Sequence, residues 1–320
     1  MNFKRATGGF LLSFVFLIFF AYIIFDIQWV FENFFQKYNK DIFLGSISDN
    51  IKETITINDD NIHEQNNQQM QGLNVSAQAV ISVESNLSGP DKILFSQNEQ
   101  RKLSIASISK LMTALIAVEN LDLSQEIKIS DKAANQSYDP EPLKAGEIFY
   151  ARDILYAMLI GSDNTASYAL SESIGVEKFV SLMNARATEL GLSDTEFGNP
   201  TGLGLDNFST TQDLAKLAEF LLKERPSILG TTIIPEFDLR TVDGKTLHKI
   251  INTDELLGDS SDLTKRIIGG KTGNTRTAGQ SLLLIVRPLN NQGYLINVIL
   301  NSNDRFGEMK KIIDWIDVNY

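Results

Sequence analysis

The stretch from Gly8 to Phe25, GGFLLSFVFLIFFAYIIF, runs for 18 residues without a charge. Wound as a helix it would reach about 27 Å, at ~1.5 Å per residue, close to the ~30 Å of a bilayer's hydrocarbon core. Lys4 and Arg5 precede it and Asp26 follows, and flanking positive charge keeps an end in the cytoplasm. Trp29, Phe31, Phe34 and Phe35 come next, residue types that favour the membrane interface. The expectation is a cytoplasmic end at residues 1–7, a transmembrane helix over 8–28, and everything beyond outside the cytoplasm. A cleaved signal peptide is the alternative. Its apolar core would be shorter, roughly 7–15 residues, and an A-x-A-like site would follow.

What comes after divides in two. Residues 29–75 are rich in Asn, Gln and Asp and include the tract Gln65–Gln69, a composition that cannot bury a core and reads as a spacer. Ile51, Ile55, Ile57 and Ile62 leave room for one short strand there. From residue 76 to 320 the pattern is that of a folded domain. Ala79–Val83 and Ile93–Phe95 are strand-like runs around a Gly89-Pro90-Asp91 turn signal. Apolar periods then predict helices over 107–120, 151–160, 165–173, 176–190 and 211–223. Strand-like runs return at 281–286 and 294–300, and an amphipathic helix over 305–318 closes the chain, packing on a sheet. Strands at both ends with helices between predict an α/β domain, an antiparallel sheet flanked by helices with an all-helical lobe inserted.

Composition removes several chemistries. The 320 residues hold 40 acidic against 29 basic side chains, a formal charge of −11, which argues against nucleic acid as a partner. There is no cysteine, so thiol nucleophiles, disulfides and a lipid-modified cysteine anchor are all excluded. Only His63 and His248 exist, and His63 falls in the spacer. Neither a metal centre nor a cofactor is expected.

Three polar clusters stand out. Ser107-Ile108-Ser109-Lys110 opens a helix whose other residues are apolar. Spacing of i and i+3 puts the hydroxyl and the amine on one face. A lysine in apolar surroundings loses affinity for its proton and can serve as a base. Backbone N–H groups at a helix start suit a developing oxyanion. The structural alternative is an N-cap serine with a lysine snorkelling to water. Gly161-Ser162-Asp163-Asn164 breaks two apolar helices; either it faces a cleft or it caps the second helix. Gly269-Gly270-Lys271-Thr272-Gly273 combines glycines, which permit close approach, with a cation and a hydroxyl able to hold a carboxylate.

In this order, Ser107-x-x-Lys110, Ser162-Asp163-Asn164 and Lys271-Thr272-Gly273 match the three signatures of penicillin-binding proteins and serine β-lactamases. Ile105–Ala114, Asn199-Pro200-Thr201-Gly202-Leu203, Thr272–Thr275 and Ala278-Gly279 resemble the D-alanyl-D-alanine carboxypeptidases of low molecular mass, over roughly residues 77–320. The resemblance implies a β-lactamase/transpeptidase-like fold and a peptidoglycan stem peptide ending in D-Ala-D-Ala as substrate. It implies β-lactam antibiotics as covalent inhibitors and a place at the bacterial cell membrane. Ser107 would be the nucleophile and Lys110 its base, with Ser162 and Lys271 relaying the proton to the leaving amine. Asn164 would hold a substrate amide. Lys271, Thr272 and Thr275 would take the terminal carboxylate beside Gly273, and the N–H groups of Ser107 and Asn274 would form the oxyanion hole. Lys249, with His248 behind it, is the expected extra grip on the carboxylate. Endopeptidase or transpeptidase action on the same stems stays open, and so does a wall-binding module without activity. A β-lactamase is disfavoured: no Glu between Ser162 and Lys271 has an Asn four residues later.

Overall fold

The structure, a computed structural model, describes residues 73–320 apart from 87–88, 137–142 and 290–292. The expected transmembrane helix at 8–28 and most of the spacer lie outside the described residues. Among the described residues no helix is long and apolar enough to cross a membrane. Leu73 and Val75 already pack against the domain.

The hairpin read from the sequence is present, as β1 (Ala79–Ser85) and β2 (Lys92–Gln97). The next strands are short: β3 (Leu103–Ser104), β4 (Glu126–Lys128), β5 (Ile148–Tyr150), β6 (Phe208–Ser209), β7 (Glu236–Arg240) and β8 (Leu247–Ile251). They pair as β3–β6, β4–β5 and β7–β8. Three long strands follow: β9 (Ile267–Thr275), β10 (Gly279–Val286) and β11 (Tyr294–Ser302). The main sheet has five antiparallel strands in the order β2-β1-β11-β10-β9. The first and last strands of the described residues therefore lie side by side, with β11 at the centre of the sheet.

The helices are α1 (Lys110–Asn120), α2 (Asp131–Ala134), α3 (Ala151–Ile160), α4 (Asn164–Glu172), α5 (Val176–Glu189), α6 (Thr211–Glu224), α7 (Pro226–Thr232), α8 (Asp262–Arg266) and α9 (Arg305–Asn319). Local chemistry sets several boundaries. The Thr210 hydroxyl accepts the Asp213 N–H at 3.0 Å and starts α6. Asp163 does the same for α4 through the Ala166 N–H, at 2.8 Å.

Side chains alternate across a strand, so the sheet has two faces. Ile81, Leu283, Ile285 and Val298 look inward to Leu111, Leu115 and Leu217 of the helical side. Val80, Leu282, Leu284 and Ile299 look outward to Met309, Ile312, Ile313 and Ile316 of α9. The last helix packs on the sheet as its apolar residues predict, each burial stabilising by about 1.5–3 kcal/mol.

Two expectations need correcting. The inserted lobe is not all-helical, because it carries the β4–β5 hairpin. Strands also return well before residue 281, in the β7–β8 hairpin and in β9. The latter, Ile-Ile-Gly-Gly-Lys-Thr-Gly-Asn-Thr, has too many glycines to show a period-2 pattern. The packing explains why: a Cβ on Gly269 would lie 2.8 Å from the Leu229 Cβ, and one on Gly270 the same distance from the Leu283 carbonyl oxygen.

Candidate active site

The site forms where the start of α1, the α3–α4 turn and the edge strand β9 meet. Ala106–Ser109 is a 3-10 turn leading into α1. Ala106 is held at φ +47°, a left-handed conformation that costs a residue with a Cβ about 1–3 kcal/mol. Ser107 is half-buried in a segment whose neighbours, Ile105, Ala106 and Ile108, are wholly buried. The chain thus exposes one hydroxyl and little else.

Two glycines make this possible. At Gly202 (φ +81°) a Cβ would stand 2.0 Å from the Ala106 carbonyl oxygen and 3.0 Å from the Ser107 nitrogen. At Gly273 it would stand 3.0 Å from the Ile105 oxygen and 3.4 Å from the Ser107 nitrogen. The Gly202 loop and strand β9 both close directly on the backbone of Ser107, and only hydrogen side chains fit.

Lys110 is fully buried, and its Nζ has three oxygen partners: Ser107 Oγ at 2.8 Å, Asn164 Oδ1 at 2.8 Å and the Thr201 carbonyl at 2.6 Å. It does not snorkel. The Asn199–Leu203 loop that supplies Thr201 is itself braced. Asn199 Oδ1 accepts from the N–H groups of Thr201 and Gly202. Thr113 and Ser167, from α1 and α4, both donate to the Pro200 carbonyl, at 2.7 and 2.6 Å. Asn207 ties this loop to Ser109.

Asn164 therefore commits its carboxamide oxygen to Lys110 and keeps its nitrogen. Ser162 sits at φ +59° in the turn between α3 and α4, half-buried, with no hydrogen-bond partner for its hydroxyl among the described residues. Lys271 is buried, with Nζ 3.2 Å from the Thr272 carbonyl oxygen. Burial holds its pKa well below the ordinary lysine value, and the charges of Lys110 and Arg305 depress it further. Thr272 shares a 2.5 Å hydrogen bond with the Thr253 hydroxyl. Asn274 is exposed at the end of β9.

The structure does not bring every expected residue to this cluster. Lys249 is a correction: register puts it opposite Asp238 on the β7–β8 hairpin, where its exposed Nζ pairs with Glu236 at 2.8 Å. His248 is held by Glu147, at 3.0 Å. The Thr275 hydroxyl accepts the Ala278 N–H at 3.0 Å, closing the β9–β10 turn. Conversely, Thr253, Asn207 and Arg305 belong to the neighbourhood although no motif pointed to them. Arg305 Nη1 donates to the Gly273 carbonyl at 3.0 Å.

Comparison with known proteins agrees with this geometry. The family model described as D-alanyl-D-alanine carboxypeptidase matches residues 63–304. The chain belongs to that family. It is 30% identical over 240 residues to the D-alanyl-D-alanine carboxypeptidase DacF of Bacillus subtilis, covering 72% of this chain and 60% of that one. A D-alanyl-D-alanine endopeptidase of Pseudomonas aeruginosa is 31% identical over 234 residues, 71% of this chain and 73% of that one. Among solved structures, a penicillin-binding protein of Listeria monocytogenes in its cefotaxime-bound form superposes with a TM-score of 0.65 at 28% identity, over 78% of this chain and all of that one. The penicillin-binding transpeptidase-like fold of the carboxypeptidase family is thus the fold of this domain.

Proposed function

We propose that this protein is a serine D-Ala-D-Ala carboxypeptidase that removes the terminal D-alanine from peptidoglycan stem peptides. The observation that carries the reading is the 2.8 Å contact between the Ser107 hydroxyl and a fully buried Lys110 amine. As a free amine, Lys110 donates its two N–H groups to the Asn164 and Thr201 oxygens. Its lone pair is then aimed at the Ser107 O–H. Transfer of that proton to Nζ lets Oγ attack the carbonyl of the penultimate D-alanine. The N–H groups of Ser107 and Asn274 take the oxyanion. The C–N bond breaks, the leaving amine receives a proton through Ser162 and Lys271, and water hydrolyses the Ser107 ester. Asn164 Nδ2 is left to hold a substrate carbonyl, and Lys271 and Thr272 to bind the terminal carboxylate. This sequence of steps calls on no metal or cofactor.

β-Lactams would acylate the same serine and stall there, since the chain lacks the Glu-x-x-x-Asn pattern of β-lactamases in the relevant interval. The apolar run at 8–25 would anchor the enzyme, as a single-pass protein, with the domain on the outer side of a bacterial cell membrane.

One observation favours a second reading. The chain spans 60% of the Bacillus carboxypeptidase but 73% of the Pseudomonas endopeptidase, so cleavage of cross-linked stems on the same machinery is the rival. The test is release of D-alanine from a pentapeptide mimic by the full chain, against cleavage of a cross-linked dimer. D-alanine release that vanishes in Ser107→Ala, with the fold retained, is the expected result. Cleavage of the dimer alone would transfer the assignment to an endopeptidase, and turnover persisting in Ser107→Ala would sink both.

A further inference from the structure

We infer that Thr253, which lies outside all three signature motifs, is a positioning residue that turns the Thr272 hydroxyl proton toward the terminal carboxylate of the ligand. The inference rests on the proposed reading of the site as one for ligands ending in a free carboxylate. It adds a residue that acts through Thr272 rather than on the ligand.

Thr253 follows β8, and its two ends belong to different walls of the cleft. Its backbone N–H donates at 3.2 Å to the carbonyl of Ile160, the last residue of α3 and two before Ser162. Its side chain shares the 2.5 Å hydrogen bond with Thr272 of the third motif. The neighbours on either side keep it there. Asn252 Nδ2 donates to the carbonyls of Thr232 and Ile234, at 2.7 and 2.8 Å, and Asn252 Oδ1 accepts the Asp254 N–H at 2.9 Å. Ile250 packs so closely on Gly161 that a Cβ there would lie 2.6 Å from its Cγ2. Thr232 also serves β9, its hydroxyl accepting the Gly270 N–H at 3.0 Å. The place of the Thr253 hydroxyl is therefore fixed by main-chain bonds before any ligand arrives.

Proton accounting gives the direction. A hydroxyl has one proton and two lone pairs, so one proton lies between the two oxygens and the other is left over. If Thr272 donates, its only proton is spent on Thr253, and its oxygen offers an anion nothing but lone pairs. If Thr253 donates, Thr272 accepts and keeps its proton for the ligand. Lys271 Nζ, 3.5 Å away, approaches the same oxygen as a second donor. With both lone pairs engaged, the Thr272 proton is the part of that hydroxyl left to the ligand. The Thr253 hydroxyl makes no other hydrogen bond among the described residues, so its own proton has no competing acceptor there. The chain from Thr253 through Thr272 to a carboxylate is polarised along its length, and its last bond, to a charged acceptor, is the strongest.

The simpler account makes Thr253 a brace between β8 and β9. It explains both bonds and predicts no dependence on the ligand's charge. The experiment therefore reads a ratio. The acylation rate of the full chain by benzylpenicillin and by its uncharged methyl ester is measured for the parent, Thr253→Val and Thr253→Ser, with folding followed by circular dichroism. Thr253→Val is expected to slow acylation by the free acid about 2- to 10-fold, the range for one hydrogen bond. The ester should change less than about 2-fold, and Thr253→Ser, which keeps the hydroxyl, should restore the parent's ratio. Equal slowing for acid and ester, no slowing, or a serine variant as impaired as the valine one overturns the inference. Should Thr253→Val fail to fold, Thr253→Ala, which removes the hydroxyl without adding bulk, is read in the same way; loss of the fold in both makes Thr253 a brace and also overturns it. Selective loss on the acid in an enzyme that releases no D-alanine from any peptide would uphold Thr253 and remove the carboxypeptidase reading instead.

Discussion

The two edges of the main sheet meet the same electrostatic difficulty with opposite signs. At β9, two lysines, Lys110 and Lys271, and the guanidinium of Arg305 gather around one short motif. At the β2 edge, Asp91 and Glu219 bring two carboxyl groups together, and the Asp91 pKa is raised to about 6, first by burial and then by the Glu219 charge. The acidic edge has remedies of its own: Ser85 donates to Glu219, and Lys223 bonds the same carboxylate. A proton can also be taken up near neutral pH. The β9 edge is relieved in the opposite sense: burial holds the Lys271 pKa well below its ordinary value, so this lysine gives up a proton readily, while the Arg305 guanidinium keeps its charge. Like charge that a fold can neutralise is tolerable decoration. The charge that stays fixed at the β9 edge is that of Arg305, beside the Gly273 carbonyl.

Substitutions that remove charge or its partners at either edge sharpen this contrast. The largest effect is expected for Lys110→Ala, which removes the proposed base and takes the Nζ donor away from the Asn164 and Thr201 oxygens. Acylation by benzylpenicillin should fall about 100- to 10,000-fold, the span for loss of a general base. Acylation at the parent rate would mean that another group takes the Ser107 proton. Next comes Thr253→Val, which deletes the hydroxyl bonded to Thr272 and keeps the side chain's shape. One hydrogen bond is worth about 0.5–1.5 kcal/mol, so a loss of about 2- to 10-fold in acylation is expected, with thermal stability little changed. If stability falls and acylation does not, Thr253 serves the scaffold alone.

The smallest effect belongs to the other edge. Because the folded-state pKa of Asp91 is raised, its contribution is fully present below the ordinary value of 3.8 and is lost as pH rises through about 6. Asp91→Asn should therefore flatten the decline in stability between those two pH values and leave acylation as it was. A melting profile that keeps its slope would show that Asp91 and Glu219 do not share this burden.

How much of this could be read from the letters alone depends on how local the cause is. The helix over 151–160 is found as expected, because its apolar run ends at Gly161; the cap at Thr210 likewise needs only four residues. Ser107 and Lys110 lie one turn apart, so their contact follows from helix geometry. Arg305 was invisible for the opposite reason. It reaches Gly273 only because β9, β10 and β11 lie side by side and α9 folds back over them. Lys249 misled because proximity to the last motif in sequence says nothing about register, and the hairpin hands its ammonium to Glu236. The strand β9 itself stayed hidden behind glycines that serve contact with Leu229 and Leu283 rather than pattern.

The pairing of β1 with β11 has a bearing on how the molecule comes into being. Seven residues near the start of the described domain are held along their length by seven of the nine in β11, and contacts between such distant segments form late and slowly. During synthesis β1 must wait, with only β2 beside it, until β11 has emerged. Arg305 lies in the helix that follows β11. The surroundings of Gly273 are thus complete only once β11 has closed the sheet and α9 has folded back toward β9.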